Sequence, residues 1–281
     1  KIQTIGCEPA KNLCKQLNKN CDYMLNDFWS YEALKKLFKK KNIYKKPKLI
    51  TAIGMFYDLE DPGKFISDAA KCLDDKGIFI AQLMCLNSMI EKNDLGNICH
   101  EHLEFYSYKS LKYLFENNGF KIFKIEENNI NGGSYRIFCK KNIKKSIAYK
   151  EKTTLSQINK FFSRVENNKK KTVNFIKKEV KKGKKIFLYG ASTKGNTLLQ
   201  YYKLNRKLIP FAVERSPEKW GKYTIGTGIK IISESVARKM NPDYLFVMPY
   251  AFISEFKKRE SAWLKKGGKF ILPYPKFKIV K

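Results

Sequence analysis

The stretch KIFLYGASTKGNTLLQYY, residues 185–202, decides the fold. Ile186–Tyr189 is an unbroken apolar run of strand length and reads as a buried strand. Gly190–Thr197 is small and polar, and TLLQYY opens a helix. Strand, glycine-bearing loop and helix N-terminus in succession present backbone N–H groups and a favourable dipole to an anion. The loop matches neither GxxxxGK[ST] nor GxGxxG. A tight turn that needs small residues is the bland alternative, and Lys194 beside the loop tilts the reading to an anionic ligand.

Strand and helix alternate on both sides of this stretch. Downstream, Leu208–Val213 predicts a strand followed by Glu214-Arg215-Ser216-Pro217, and 222–232 an edge strand with turn glycines. Pro242–Met248 predicts a further strand, Ser254–Lys266 a helix, and 267–273 the last strand. Upstream, 140–183 is Lys-rich and free of Gly and Pro until Gly183, which predicts one long helix, or two, linking two domains. Before it, 2–8 reads as a short buried strand ending in Glu8, Lys11–Leu17 as a helix, and Asp22–Phe28 as a strand. A helix over Ser30–Lys41, a strand over Lys48–Gly54, a helix from Pro62 and a strand over Ile78–Leu83 follow. Ser107–Asn118 predicts a helix closed by Gly119, and 120–139 an antiparallel hairpin. The expected class is α/β: two Rossmann-like parallel-sheet units joined by a long helical linker, the first lacking its opening strand and loop.

Charge and cysteine usage narrow the function classes. The chain of 281 residues carries 57 basic and 26 acidic side chains, a net +31. Such a balance invites nucleic acid. Only six of the basic residues are Arg, the preferred reader of bases and phosphate forks, so the charge reads as a solvated surface that welcomes small anions. No apolar run approaches the roughly 20 residues of a membrane span. Seven dispersed cysteines and no export signal point to reduced thiols in a cytoplasm. The chain starts at KIQTIGCEPAKNL as if a strand were already under way, and reads as a piece with an upstream part.

Both histidines stand in Cys99-His100-Glu101-His102. Histidine titrates near neutrality and so exchanges protons under cellular conditions. The HExxH zinc spacing is absent, which speaks against a metal, and proton transfer is set ahead of a structural role for imidazoles hydrogen-bonded at a strand-to-helix junction. Glu8, at a strand end, has the position of a ribose-diol acceptor. Asn26, Asp27 and Phe28 end the next strand, where an amide or carboxylate and a ring face could hold adenine. Together they suggest an adenosine cofactor.

A family resemblance rests on GNICHEHLEFYSYKSLKYLFENNGF, NGGSYRIF, YGASTKGNTLLQYY, VERSPEKWGKYTIGTGIKI, PDYLFVMPY and GGKFILPYPKFKIV, in that order. The chain resembles the S-adenosylmethionine-dependent sugar C-methyltransferases along nearly its whole length. That family methylates a carbon beside the ketone of a nucleotide-linked ketosugar. The resemblance implies a methyltransferase domain over 1–140, a helical linker over 141–183, and a nucleotide-sugar-binding domain over 184–281. It assigns Glu8 to the cofactor ribose, and Asp27 with Phe28 to the adenine. His100-Glu101-His102 matches the catalytic stretch, with Cys99 where the family usually has Tyr. A thiol has another pKa and a shorter reach, so His102 becomes the first choice of base, with Glu101 orienting it or the sugar. Ser192, Lys194, Asn196, Arg215 and Tyr223 are similar to the part that holds the nucleotide diphosphate. The resemblance also implies zinc, but only in a Cys-bearing segment upstream of residue 1.

The expected partners are therefore a nucleotide-linked ketosugar and S-adenosylmethionine, with no membrane and nucleic acid set behind. Other readings stay open: a nucleic-acid methyltransferase or binder, motivated by +31; a nucleotide-sugar-binding relic; and an enzyme that methylates oxygen or another acceptor, motivated by Cys99.

Overall fold

A computed structural model describes residues 2–151 and 153–281. The chain runs through β1 (Ile5–Cys7), α1 (Lys11–Leu17), β2 (Tyr23–Leu25), α2 (Tyr31–Lys41), β3 (Leu49–Ile53), α3 (Pro62–Cys72) and β4 (Ile78–Met84). It continues through α4 (Leu86–Lys92), α5 (Tyr108–Asn117), β5 (Lys121–Asn128), β6 (Ser134–Lys140) and α6 (Leu155–Lys181). The remainder is β7 (Ile186–Tyr189), α7 (Thr193–Tyr201), β8 (Phe211–Glu214), β9 (Lys230–Ser233), α8 (Glu234–Met240), β10 (Tyr244–Val247), α9 (Ile253–Arg259), α10 (Ser261–Lys265), β11 (Lys269–Leu272) and β12 (Lys278–Val280).

Helix boundaries follow their caps. Ser30 Oγ accepts from Ala33 N at the start of α2, and Asp61 Oδ1 accepts from Lys64 N at the start of α3, with Pro62 in the first turn. Thr154 and Gln157 satisfy each other's backbone N–H groups ahead of α6. Gly119 closes α5 at φ +89°, a conformation open to glycine. Among the described residues no helix is long and apolar enough to cross a membrane.

The chain divides into two compact units. The first comprises residues 2–83, 106–128 and 135–150. It holds the parallel pair β1–β2, with Ile5 opposite Tyr23, and a four-stranded sheet in the order β3-β4-β6-β5. Its core is aromatic: Phe56, Phe79, Phe115 and Phe120 are fully buried, and the rings of Phe79 and Phe120 lie 5.5 Å apart. β1 was expected to be buried, yet Cys7 is exposed, because among the described residues β1 pairs with β2 alone.

The second unit comprises residues 84–105, 129–134 and 151–281 without 152. Its sheet has the order β12-β11-β10-β7-β8-β9. From β11 to β9 all neighbours are parallel, and β12 is antiparallel to β11. Successive residues of β7 point to opposite faces. Ile186 and Leu188 pack with Phe161, Val165 and Ile176 of α6, whereas Phe187 and Tyr189 pack with Phe256 and Trp263. The chain leaves β7 towards β8 and β9, and returns on the other side to β10 and β11. β7 and β10 thus flank the point where strand order reverses, and ligands of open α/β sheets bind outside the carboxyl ends there.

Four expectations need correction. The 140–183 helix begins only at Leu155, because 146–149 is held elsewhere: Ile147 N bonds Ile122 O, and Tyr149 packs on Tyr108 and Tyr135. The single helix over 254–266 breaks at Glu260, whose buried carboxylate is held by Tyr189 and Arg238. The last strand is β12 rather than 267–273. α4, between β4 and the histidine stretch, was not foreseen.

Candidate active site

The histidine stretch belongs to the segment 84–105, which leaves β4 and folds into the second unit. α4 stops at Asn93 in the left-handed region, φ +54°. A single 3-10 turn, Leu95–Asn97, follows and packs on α7. His102 N then donates to Cys99 O at 3.1 Å, which turns the chain back.

The turn separates the two imidazoles. His100 projects into solvent, its side chain 87% exposed, with Nδ1 3.3 Å from Glu101 Oε2. His102 is half-buried, and its Nδ1 lies 2.8 Å from Asn97 O. A carbonyl only accepts, so the neutral ring carries its proton on Nδ1 and its lone pair on Nε2. His102 also lines a small, narrow pocket with Met84, Leu86, Met89, Asn97 and Phe105. That is the tautomer and setting a general base needs.

Cys99 and Glu101 influence each other. Burial, then the Glu101 carboxylate, push the Cys99 thiol above its ordinary range. Burial works against ionised Glu101, but its own backbone N–H, the Cys99 thiol, His100 and the Thr193 hydroxyl outweigh it and hold the acid below its usual range.

Lys194 stands in the first turn of α7, yet its ammonium points towards the 3-10 turn. Nζ lies 2.6 Å from Asn97 Oδ1 and 3.0 Å from Met84 Sδ. Ser192 Oγ caps α7 by accepting from Gly195 N at 3.2 Å, and Asn196 is half-buried beside it. Arg215 and Tyr223 stand exposed after β8 and before β9. Ser192, Lys194 and Asn196 therefore share one turn, with Arg215 and Tyr223 on two other loops.

Three residues were missed by reading the sequence. Asn97 and Asp94 act through a turn that has no sequence signature. Glu214 ends β8 and holds the GAST loop: Oε2 accepts from Ala191 N at 3.1 Å, and Oε1 from Arg215 N and Ser216 N at 2.8 and 3.2 Å. Its signal was available, since an acid at a strand end is the pattern applied to Glu8.

In the first unit, Glu8 and Asn26 follow the neighbouring parallel strands β1 and β2. Asn26 Nδ2 donates to Glu8 O and Pro9 O at 2.9 and 3.2 Å, and Glu8 Oε1 accepts from Ala10 N at 2.9 Å. The backbone under the carboxylate is thereby fixed, and Oε2 makes no hydrogen bond among the described residues. Asp27 Oδ1 accepts from Phe28 N, and the Phe28 ring is 76% exposed. A fixed carboxylate with an acceptor to spare and an open ring face fit the ribose and adenine of S-adenosylmethionine. Among the described residues no three Cys, His, Asp or Glu are grouped to hold a metal ion.

The family model described as C-methyltransferase C-terminal domain matches residues 129–275, and one described as methyltransferase domain matches 5–125. C-methyltransferase NovU of Streptomyces niveus is 24% identical over 290 aligned positions, covering 99% of this chain and 68% of that one. An S-adenosylmethionine-dependent methyltransferase structure from Archaeoglobus fulgidus overlaps 49% of this chain and 75% of its own at 15% identity, TM-score 0.36. One from Clostridium acetobutylicum overlaps 48% and 82% at 13% identity, TM-score 0.31. Overlaps this low carry no argument, and the α/β fold rests on the strand order above. With one family model spanning over half its length and the other most of the remainder, this chain belongs to the S-adenosylmethionine-dependent C-methyltransferases.

Proposed function

We propose that this C-methyltransferase acts on a nucleotide-linked ketosugar, at a carbon beside the ketone, with His102 as the base. The observation that supports this most is the Asn97 carbonyl on His102 Nδ1, which makes Nε2 the basic nitrogen of a ring lining a pocket. A C–H beside a ketone is acidic enough to be removed when a base is positioned and the enolate charge is met. The proton passes to Nε2, and the electron pair of the broken bond stays on the sugar as enolate. When bound, S-adenosylmethionine supplies the methyl group as an electrophile. Glu8 would hold its ribose, and Asn26, Asp27 and Phe28 its adenine. Ser192, Asn196, Arg215 and Tyr223 would attend the nucleotide diphosphate, which a Lys-rich surface attracts. Glu101 would orient His102 or the sugar, with His100 and Cys99 beside it. Among the described residues none of the seven cysteines forms a disulfide, which suits a reducing cytoplasm.

The test uses the protein at its full natural length, labelled S-adenosylmethionine and a panel of nucleotide-linked 4-ketosugars in deuterated water. Deuterium is expected to wash in beside the ketone, with label transfer that His102→Asn lowers by about 10²- to 10⁴-fold. Transfer that survives His102→Asn would remove His102 as the base. Binding of the nucleotide sugar with neither transfer nor exchange would favour a non-catalytic binder.

A further inference from the structure

Lys194 is a half-buried cation that the proposed mechanism leaves unused. Its neighbours come from three places in the second unit. Nζ is held by Asn97 Oδ1 at 2.6 Å and lies 3.0 Å from Met84 Sδ. Asp94 faces the same turn with 5% of its surface exposed, and among the described residues its Oδ1 has no hydrogen-bond partner. Gly96 marks how tightly these groups converge. A Cβ there would stand 3.0 Å from Lys194 O, 3.2 Å from Lys194 Cβ and 3.3 Å from Asp94 Oδ1.

Burial alone would drive the ammonium towards neutrality, and the Asp94 carboxylate opposes that. Burial likewise raises the Asp94 acid, while Lys194 and the Gly96 N–H pull it down. Taking ionisable groups out of water costs stability. What Lys194 holds there is Asn97. Its side chain accepts from Lys194, and its main-chain carbonyl faces His102 Nδ1. Asn97 is 5% exposed, so both ends act on one fixed residue.

We propose that Lys194, backed by Asp94, is the positioning residue of the base: it clamps the Asn97 side chain and so fixes the carbonyl that sets the tautomer and direction of His102. The inference rests on the reading of His102 as base for its catalytic consequence, but not for its structural one. Lys194 is thereby distinguished from a diphosphate ligand. Its effect falls on proton removal rather than on binding of the nucleotide sugar.

Two readouts test this. The first is nitrogen NMR of the ring at about pH 8, where an unperturbed imidazole is neutral. The chain has only two histidines, and free imidazole supplies the reference for averaged tautomers. Native protein is expected to show His102 protonated at Nδ1. Lys194→Met and Asn97→Ala are each expected to move both ring nitrogens to intermediate values, with thermal melts confirming that the variants fold. If either folded variant keeps the native tautomer, the proposal is overturned, whether or not any ketosugar is a substrate. The second readout is kinetic, on the sugar identified as above. Lys194→Met is expected to lower kcat and deuterium exchange on the order of 10²-fold, because small misplacements of a reacting group carry that penalty. KM for the nucleotide sugar should stay within about twofold, and the double variant should lose no more than either single one. A rise in KM of tenfold or more with kcat unchanged would overturn the proposal and return Lys194 to the diphosphate.

Discussion

His100 and His102 are two residues apart and stand in different surroundings. Their roles were only half legible in the sequence. That the stretch holds every histidine of the chain made it conspicuous, and His102 was the first choice of base. What distinguishes His102 is a main-chain carbonyl, a group every residue has, so no sequence pattern announces it. The direction of Lys194 was hidden for a similar reason: in a helix's first turn a long side chain can reach solvent or a neighbouring loop, and the 3-10 turn that attracts it has no composition of its own. At this scale Cys99 gives a direct test. Burial and the Glu101 carboxylate raise its thiol, which leaves little thiolate near neutrality. Glu101→Gln removes the carboxylate charge, lowers the thiol and increases the thiolate. Alkylation of the Cys99 peptide by iodoacetamide at pH 8, followed by mass spectrometry, should speed up by about two- to fivefold. An unchanged or slower rate would mean that the carboxylate does not govern the thiol.

Elements were more legible than side chains, because periodicity and caps are written locally. Ser30, Pro62, Ser107 and Gly119 mark helix ends by the chemistry expected of them. The misses came where distant residues overrode local propensity: Ile147 is tied to Ile122, and Glu260 interrupts a helix to meet Tyr189 and Arg238. Asp68 shows the same long reach. It sits on α3 with its side chain 4% exposed, accepts from Tyr31 N at the start of α2 at 3.2 Å, and pairs with Lys64 and Lys71 at 2.6 and 3.3 Å. Burial raises its pKa, but Lys64, the Tyr31 N–H and Lys71 outweigh burial and hold it below the usual range. A depressed folded pKa contributes stability above the unfolded value of about 3.9, and that contribution fades as pH falls through the folded pKa. Asp68→Ala should therefore destabilise the protein by about 1–3 kcal/mol at pH 7. The gap from native protein, read from urea melts, should narrow below about pH 4. A gap that is constant with pH would mean that Asp68 acts by shape alone.

At the scale of the whole molecule, the net charge of +31 must be reconciled with the proposed nucleotide-sugar substrate. Charge of one sign opposes compaction and attracts polyanions without any designed interface. Composition decides between attraction and recognition. With six Arg among 57 basic residues, the surface is mostly Lys, a hydrated point charge on a flexible stem that reads neither bases nor phosphate geometry. Such a surface binds a duplex by releasing counterions, so affinity falls steeply with salt and is indifferent to sequence. Anisotropy of labelled 20-base-pair duplexes should show binding at 50 mM NaCl that weakens by about 10³-fold or more at 200 mM, equally for unrelated sequences. Binding of a nucleotide sugar, which meets few of these charges, should change far less over the same range, as read by calorimetry. If duplex binding persisted at 200 mM with a preference for one sequence, the cations would be arranged for recognition, and a nucleic-acid acceptor would displace the ketosugar as the substrate to pursue.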